Sequence, residues 1–294
     1  MPERLTPLFH TPCYGWLSPE QRRRYNQLHA CYLNEQTIFF ESVMARPILQ
    51  SYARAALPDG VKRALPTFMA EEAAHSEMFR KLNQRCAPQL YAQSDFHFVE
   101  LSRATRAALG GWVQRANRFP LFLWLLLIQE ERAMFYAVEF LRADGLEPNF
   151  VAAQREHLAD ETGHVRWDEM LIEHVWPRTS PAWRRINARI FRWLMREYFT
   201  IPRRSGMRVL AALVDEFPAL REKWCELSRE MLALERAPAF HHTAYSREAT
   251  PRTFARFDRT LEFRELGEVL PGYRARPDTS ISAPLGAGER VSAR

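Results

Sequence analysis

Glycine is scarce, 11 in 294 residues, and alternating runs of Val, Ile and Thr are few. Both absences argue against a sheet protein and for helices built from Ala, Leu, Glu and Arg. There are only four cysteines, Cys13, Cys31, Cys86 and Cys225, and none stands in a CxxC spacing. That excludes a disulfide scaffold and a thiolate metal knuckle, and Cys31 reads as a small core residue. Long hydrophobic runs are missing too. The longest, Leu121 to Ile128, is too short to span a bilayer and ends in Gln129-Glu130-Glu131. The first residues, MPERLTPLF, lack the basic-then-apolar layout of a signal peptide, so a soluble, cytoplasmic protein with no membrane partner is expected. The formal charge is +6, but the excess arginines lie scattered beside acids. A basic stripe with exposed aromatics is not seen, so no nucleic-acid partner is expected.

What is present is helical patterning punctuated by turn signals. Ser18-Pro19-Glu20-Gln21 reads as a capping box with Pro at the first helical position. The first long helix is expected to run to about Ala56, bent at Pro47, with Leu57-Pro-Asp-Gly60 as the turn after it. A second helix reaches about Arg85, with Pro66 either kinking it or marking its start. Asp95 to Leu109 suggests a shorter crossing helix broken by Gly110-Gly111. The third long helix spans Pro120 to Leu141, and the fourth Pro148 to about Val175. Two hairpins joined by one crossover of about 30 residues are what a ferritin-like bundle needs. The expected fold is therefore all-α, a ferritin-like four-helix bundle with a long crossover and extra C-terminal helices between Pro181 and Arg236. Residues 1–240 are read as one domain with accessory helices. From His241 the pattern loosens, and 241–294 is expected to be a partly irregular extension ending in a mobile Pro277–Arg294 tail.

The chemistry is concentrated in two motifs. In HLADETGH, steps of four and seven place His157, Glu161 and His164 on one face of the fourth helix. In FMAEEAAHSEMF, Glu72 and His75 stand one turn apart on the second. A di-metal carboxylate bundle needs a Glu-x-x-His from each of two helices and a Glu from each of the other two. On the first helix Glu35 and Glu41 both qualify. Glu72 lies roughly 18 Å into its helix, and its antiparallel partner should lie equally far before the turn, which favours Glu41. On the third helix Glu130 and Glu131 point about 100° apart, and spacing does not separate them. An isolated ExxH is more often a surface pair than a ligand pair. Acids inside apolar runs such as TIFFES and LLLIQEER, however, would be costly to bury without a cation. Carboxylate and imidazole without thiolate suit iron or manganese, and oxygen activation follows.

These residues resemble the p-aminobenzoate N-oxygenase (AurF-type) family of diiron oxygenases over about Gly15 to Val175. The likeness runs through WLSPE, IFFE ending at Glu41, AEEAAHSEMF, Glu130-Glu131 and HLADETGH. The resemblance selects Glu130 over Glu131, and it implies the ligand set Glu41, Glu72, His75, Glu130, His157, Glu161 and His164, with His157 as the feature that generic ferritin-like sites lack. It places Glu71 and Asp160 where they would hold the far N–H groups of the histidines. It further implies two iron ions, O₂ as co-substrate, an external electron donor, a homodimer, and N-oxygenation of an arylamine to hydroxylamine, nitroso and nitro levels through a peroxo-diferric intermediate. Where the family usually has Asp-Glu-x-x-His, this chain has Glu71-Glu72-Ala-Ala-His75, and no residue matching an arylamine carboxylate is found. Helical spacing suggests Phe40, Leu126, Ala133 and Met134 as pocket walls. Competing readings are a hydroxylase or desaturase acting at carbon, a ferroxidase, and a radical-generating subunit. The last needs a tyrosine four residues after His75, where Phe79 stands. Replacing His157 with Ala should weaken metal binding or abolish oxygen transfer while leaving circular dichroism unchanged. Undiminished activity would remove His157 from the ligand set.

Overall fold

The structure, a computed structural model, describes residues 1–101, 103–200 and 203–273. It is all-α, with no strand among the described residues. After three short 3₁₀ turns, helix α1 (Pro19–Phe39) opens with the expected capping box: the Ser18 side chain accepts from Gln21 N, and the Gln21 side chain accepts from Ser18 N. The helix widens into a π segment at Phe40–Ala45 and resumes as α2 (Arg46–Ala53). Pro47, near the start of α2, supplies the cause. It has no N–H to bond backward, and its ring crowds the carbonyl four residues earlier, so the preceding turn must open. The expected bend thus takes the form of a π segment that contains Glu41.

Helix α3 (Asp59–Cys86) continues across Pro66 without interruption. α6 (Leu121–Leu141) and α7 (Pro148–Val175) fall where the turn signals put them. α1 packs on α3, α3 on α7, and α6 on α7, giving the four-helix bundle with its long crossover. In the crossover, α4 (Pro88–Tyr91) and α5 (Arg103–Val113) replace the helix expected from Asp95 to Leu109. Gly110 and Gly111 lie inside α5 rather than breaking it. The reason for the later start is Glu35. Its buried carboxylate accepts from the backbone N–H groups of His97, Phe98 and Val99 and from the Tyr91 hydroxyl. Those N–H groups are held in a non-helical turn around one anion, the geometry of a backbone nest.

The apolar run Leu121–Ile128 is buried on every side, the mark of a helix enclosed by its neighbours. Those neighbours include α8 (Pro181–Leu194) and α12 (Pro251–Asp258) on α6, while α9 (Ser205–Glu216) lies against α1. α10 (Trp224–Ala233) and α11 (Pro238–Ala244) continue the C-terminal layer. Residues 241–273, assigned from the pattern to a loose extension, contribute Phe254, Phe257, Phe263 and Tyr273 to the principal core. Trp124 of α6 meets the Phe263 ring at 4.7 Å and the Trp176 ring at 5.3 Å, tying this segment to the bundle. Glu131 fixes it further by accepting from Arg252 N, Thr253 N and Thr253 Oγ1 at the start of α12. The Pro277–Arg294 tail lies outside the described residues. All four cysteines are free, Cys31 buried as expected. No helix among the described residues is long and apolar enough to cross a membrane.

Removing either anchoring acid strands buried N–H donors. Glu35→Ala and Glu131→Ala should each lower unfolding free energy by roughly 2–4 kcal/mol in urea titration. A change within about 0.5 kcal/mol would show that the turn and α12 do not depend on these carboxylates.

Candidate metal centre

The π segment, α3, α6 and α7 converge on one buried cluster. Glu41, Glu72, His75, Glu130, His157, Glu161 and His164 are all nearly inaccessible to solvent. Two sets of four donors form within it. One is Glu41, His75, His157 and Glu161; the other is Glu72, His75, Glu161 and His164. Within each set the donor atoms lie no more than 4.8 Å apart. His75 and Glu161 belong to both, so the sets are adjoining and share an edge. Glu130 is in neither set, but its carboxyl is placed against Glu161, whose charge helps to push it well above the usual carboxylate range after burial itself.

The outward sides of two imidazoles are held by acids. His75 Nε2 donates to Asp160 Oδ2 at 3.0 Å, and His164 Nε2 donates to Glu71 Oε2 at 3.0 Å. Each acid comes from the facing helix, which turns both Nδ1 atoms inward. Nδ1 of His164 sits 3.1 Å from Glu72 Oε1 and 3.6 Å from Glu161 Oε1. Nδ1 of His75 sits 3.8 Å from Glu41 Oε1 and 3.9 Å from Glu161 Oε1. His157 presents Nε2 instead, at 2.7 Å from Glu161 Oε1 and 3.0 Å from Glu41 Oε1. Ser76 Oγ donates to Glu41 Oε2, and the rings of Phe68 and Phe79 lie on His164 and His157. Glu35 and Glu131, the alternatives left by spacing, are engaged elsewhere as the anchors described above.

Both Glu72 oxygens, both Glu161 oxygens, Glu130 Oε1, His75 Nδ1 and His164 Nδ1 are buried and make no well-directed hydrogen bond, although Glu161 Oε1 and Glu72 Oε1 lie close to imidazole nitrogens. So many orphaned donor atoms facing one centre would be very unfavourable by themselves. They fit cations. Asp168 adds to this. It is fully enclosed one turn beyond His164, with both oxygens unpartnered, and burial pushes it well above its usual range. The pattern-based reading missed it, although its spacing from Glu161 and His164 along one helix face could have revealed it.

One cavity adjoins the cluster, and a second shares walls with the first. The first, a small one of about 60 Å³, is bounded by Glu41, Glu130, His157, Phe40, Ala133 and Arg132. Phe40, Gln36, Gln129 and Arg132 also line the second, a larger one of about 130 Å³ whose other walls include Met44, Trp112, Leu125 and Trp193. Of the four expected pocket walls, Phe40 and Ala133 are therefore at the cluster. Leu126 is closed into the core, and Met134 lines a separate depression beside Glu131 and Arg252. The long α6 face divides there, one side toward the bundle interior and the other under α12.

The family model of the p-aminobenzoate N-oxygenase AurF matches residues 1–234. The chain belongs to this family. No curated protein matches it. AurF proteins are oxygenases, and the matched span contains the whole histidine–carboxylate cluster. The match ends before Tyr245 and α12, although both pack directly against α6.

Burial would lower His157 and His164, but Glu161, with Glu41 for the first and Glu72 for the second, pushes them up to about 10 and about 11. Burial likewise opposes the Glu161 carboxylate, yet His157, Glu130 and His164 hold it well below the usual range. Burial pushes Glu41 up to about 8. At pH 7 the metal-free cluster therefore carries protons on His157, His164 and Glu41 that a cation must displace. Divalent-metal uptake in weak buffer should release protons, and apparent affinity should rise between pH 6 and 8. Indicator-dye titration showing no proton release would contradict this electrostatic arrangement.

Proposed function

We propose that this AurF-family chain is a non-haem diiron oxygenase that uses O₂ to oxygenate an amine nitrogen, with an arylamine as the expected substrate. The observation that carries this reading is the pair of adjoining four-donor sets sharing His75 and Glu161. Glu41, Glu72, His75, Glu130, His157, Glu161 and His164 would hold the two irons, which supply electrons and an open coordination position for O₂ reduction. The charge balance favours this occupancy. Four ligand carboxylates with neutral imidazoles carry the charge that two divalent cations cancel, leaving a neutral centre in a dry interior.

The protein's own residues do the rest. Glu71 and Asp160 fix the tautomer and direction of His164 and His75. Ser76 steadies one Glu41 oxygen while the other faces His157. Phe68, Phe79 and Phe40 keep water from the centre and leave the small cavity as the approach for the reacting nitrogen. Phe79 stands where a radical-generating subunit would need a phenol. Each first-stage turnover converts an amine, O₂, two electrons and two protons into a hydroxylamine and water, so an external electron donor is required. Further rounds would reach nitroso and nitro levels.

The test is anaerobic loading with ferrous iron, then O₂, a chemical reductant and an arylamine, with products resolved by mass spectrometry. Hydroxylamine, nitroso or nitro product carrying label from ¹⁸O₂ is expected. Oxygen incorporated only at carbon would replace the N-oxygenase reading with a hydroxylase. Iron oxidation without any organic product would leave a ferroxidase.

A further inference from the structure

Among the described residues, one cation beside the cluster, Arg132, is paired with no carboxylate. It is always charged, and its Nε is buried without a partner. Its guanidinium lies over the rings of Tyr136 and Tyr245, 4.9 and 5.2 Å from their centroids. Nη1 donates to Gln129 Oε1 and to the Tyr245 hydroxyl, both at 3.3 Å. The ring stacking and these long, neutral hydrogen bonds set the plane of the fork without neutralising it. A half-buried guanidinium held in place but unpaired is suited to an anion that arrives with a ligand.

The position of Arg132 says which part of the ligand that is. It lines both cavities, at the junction between the small space beside Glu41, Glu130 and His157 and the larger, mostly apolar space beyond, whose walls also carry Arg203, ion-paired with Glu235, and the exposed Arg204. A benzene ring occupies an apolar cavity of roughly 150 Å³. The small cavity, about 60 Å³, cannot take a ring, whereas the larger, about 130 Å³, is close to the size of one. An amine nitrogen placed beside the carboxylates therefore leaves its ring past the junction, among Met44, Trp112 and Leu125. Arg132 then faces the near edge of the ring, next to the nitrogen, and a group para to the nitrogen would point away from it.

Resting on the N-oxygenase reading above, we propose that Arg132 anchors a carboxylate adjacent to the reacting nitrogen, so that the preferred substrates are single-ring ortho-amino acids of the 2-aminobenzoate type. Tyr245 makes this recognition depend on the segment after the family match, since it stacks on Arg132 and donates to Gln129 Oε1. The carboxylate binds Arg132 as a charge-assisted pair and takes no part in the redox step.

Binding of 2-aminobenzoate, 4-aminobenzoate and 2-aminobenzamide to the full chain, metal-free and iron-loaded, tests this by calorimetry. The wild-type chain should bind 2-aminobenzoate roughly tenfold or more tighter than either of the others. Arg132→Gln should erase that preference and Arg132→Lys should keep part of it, with iron content and circular dichroism unchanged. Equal or tighter binding of 4-aminobenzoate, no detectable binding of 2-aminobenzoate, or a preference that survives Arg132→Gln would each overturn the proposal. The wild-type comparison needs no variant to fold. A chain that takes up no iron would sink the N-oxygenase reading, while the ligand preference of the metal-free protein would still decide the role of Arg132.

Discussion

The structure is organised around the cost of keeping carboxylates away from water. Glu41, Glu72, Glu130, Glu161 and Asp168 are enclosed in one helical interior with three imidazoles. Burial drives Glu41, Glu130 and Asp168 toward their neutral forms, while Glu161 keeps its charge against the imidazoles of His157 and His164. The members of the cluster push one another in opposite directions, Glu130 upward and Glu161 downward. A fold stable at all in the face of that conflict needs the surrounding helices to be over-determined by apolar burial, and α6 supplies this with a run enclosed on every side. Two divalent cations resolve the same conflict chemically.

Glutamate serves two opposite purposes in this chain, with one of each kind on α1 and its π extension, six residues apart, and one of each kind side by side on α6. Glu41 and Glu130 turn toward the cluster; Glu35 and Glu131 bind backbone N–H groups of the crossover and of α12. Burial pushes both anchoring carboxyls up, and the several donors that each one meets oppose that push without a metal. The cluster acids are left with orphaned oxygens. Position along one helix thus decides between scaffold and chemistry, because a step of one residue turns a side chain through about 100°.

Much of this was legible from residue spacing. The capping box at Ser18, the start of α7 at Pro148 and the convergence of His157, Glu161 and His164 follow from local rules that act within a turn or two. Depth along antiparallel helices favours Glu41 over Glu35, and the structure puts Glu41 in the cluster and Glu35 outside it. What escaped were features set by distant partners. The crossover helix starts late because Glu35, far away in sequence, holds its leading residues in a turn. The segment after His241 has weak periodicity but large aromatics, and it is ordered by rings on α6 and α7 rather than by its own propensity. Arg132 is inconspicuous in the sequence, because a charged residue beside two acids reads as a surface pair, and in the fold it pairs with neither Glu130 nor Glu131.

The central claim is that the cluster holds two metal ions next to each other. Anaerobic titration with ⁵⁷Fe(II) followed by oxidation and low-temperature Mössbauer spectroscopy tests it most directly. Two irons per chain, giving quadrupole doublets without magnetic splitting as an exchange-coupled ferric pair does, is the predicted result. A single iron per chain, or the magnetically split spectrum of isolated ferric ions, would contradict it.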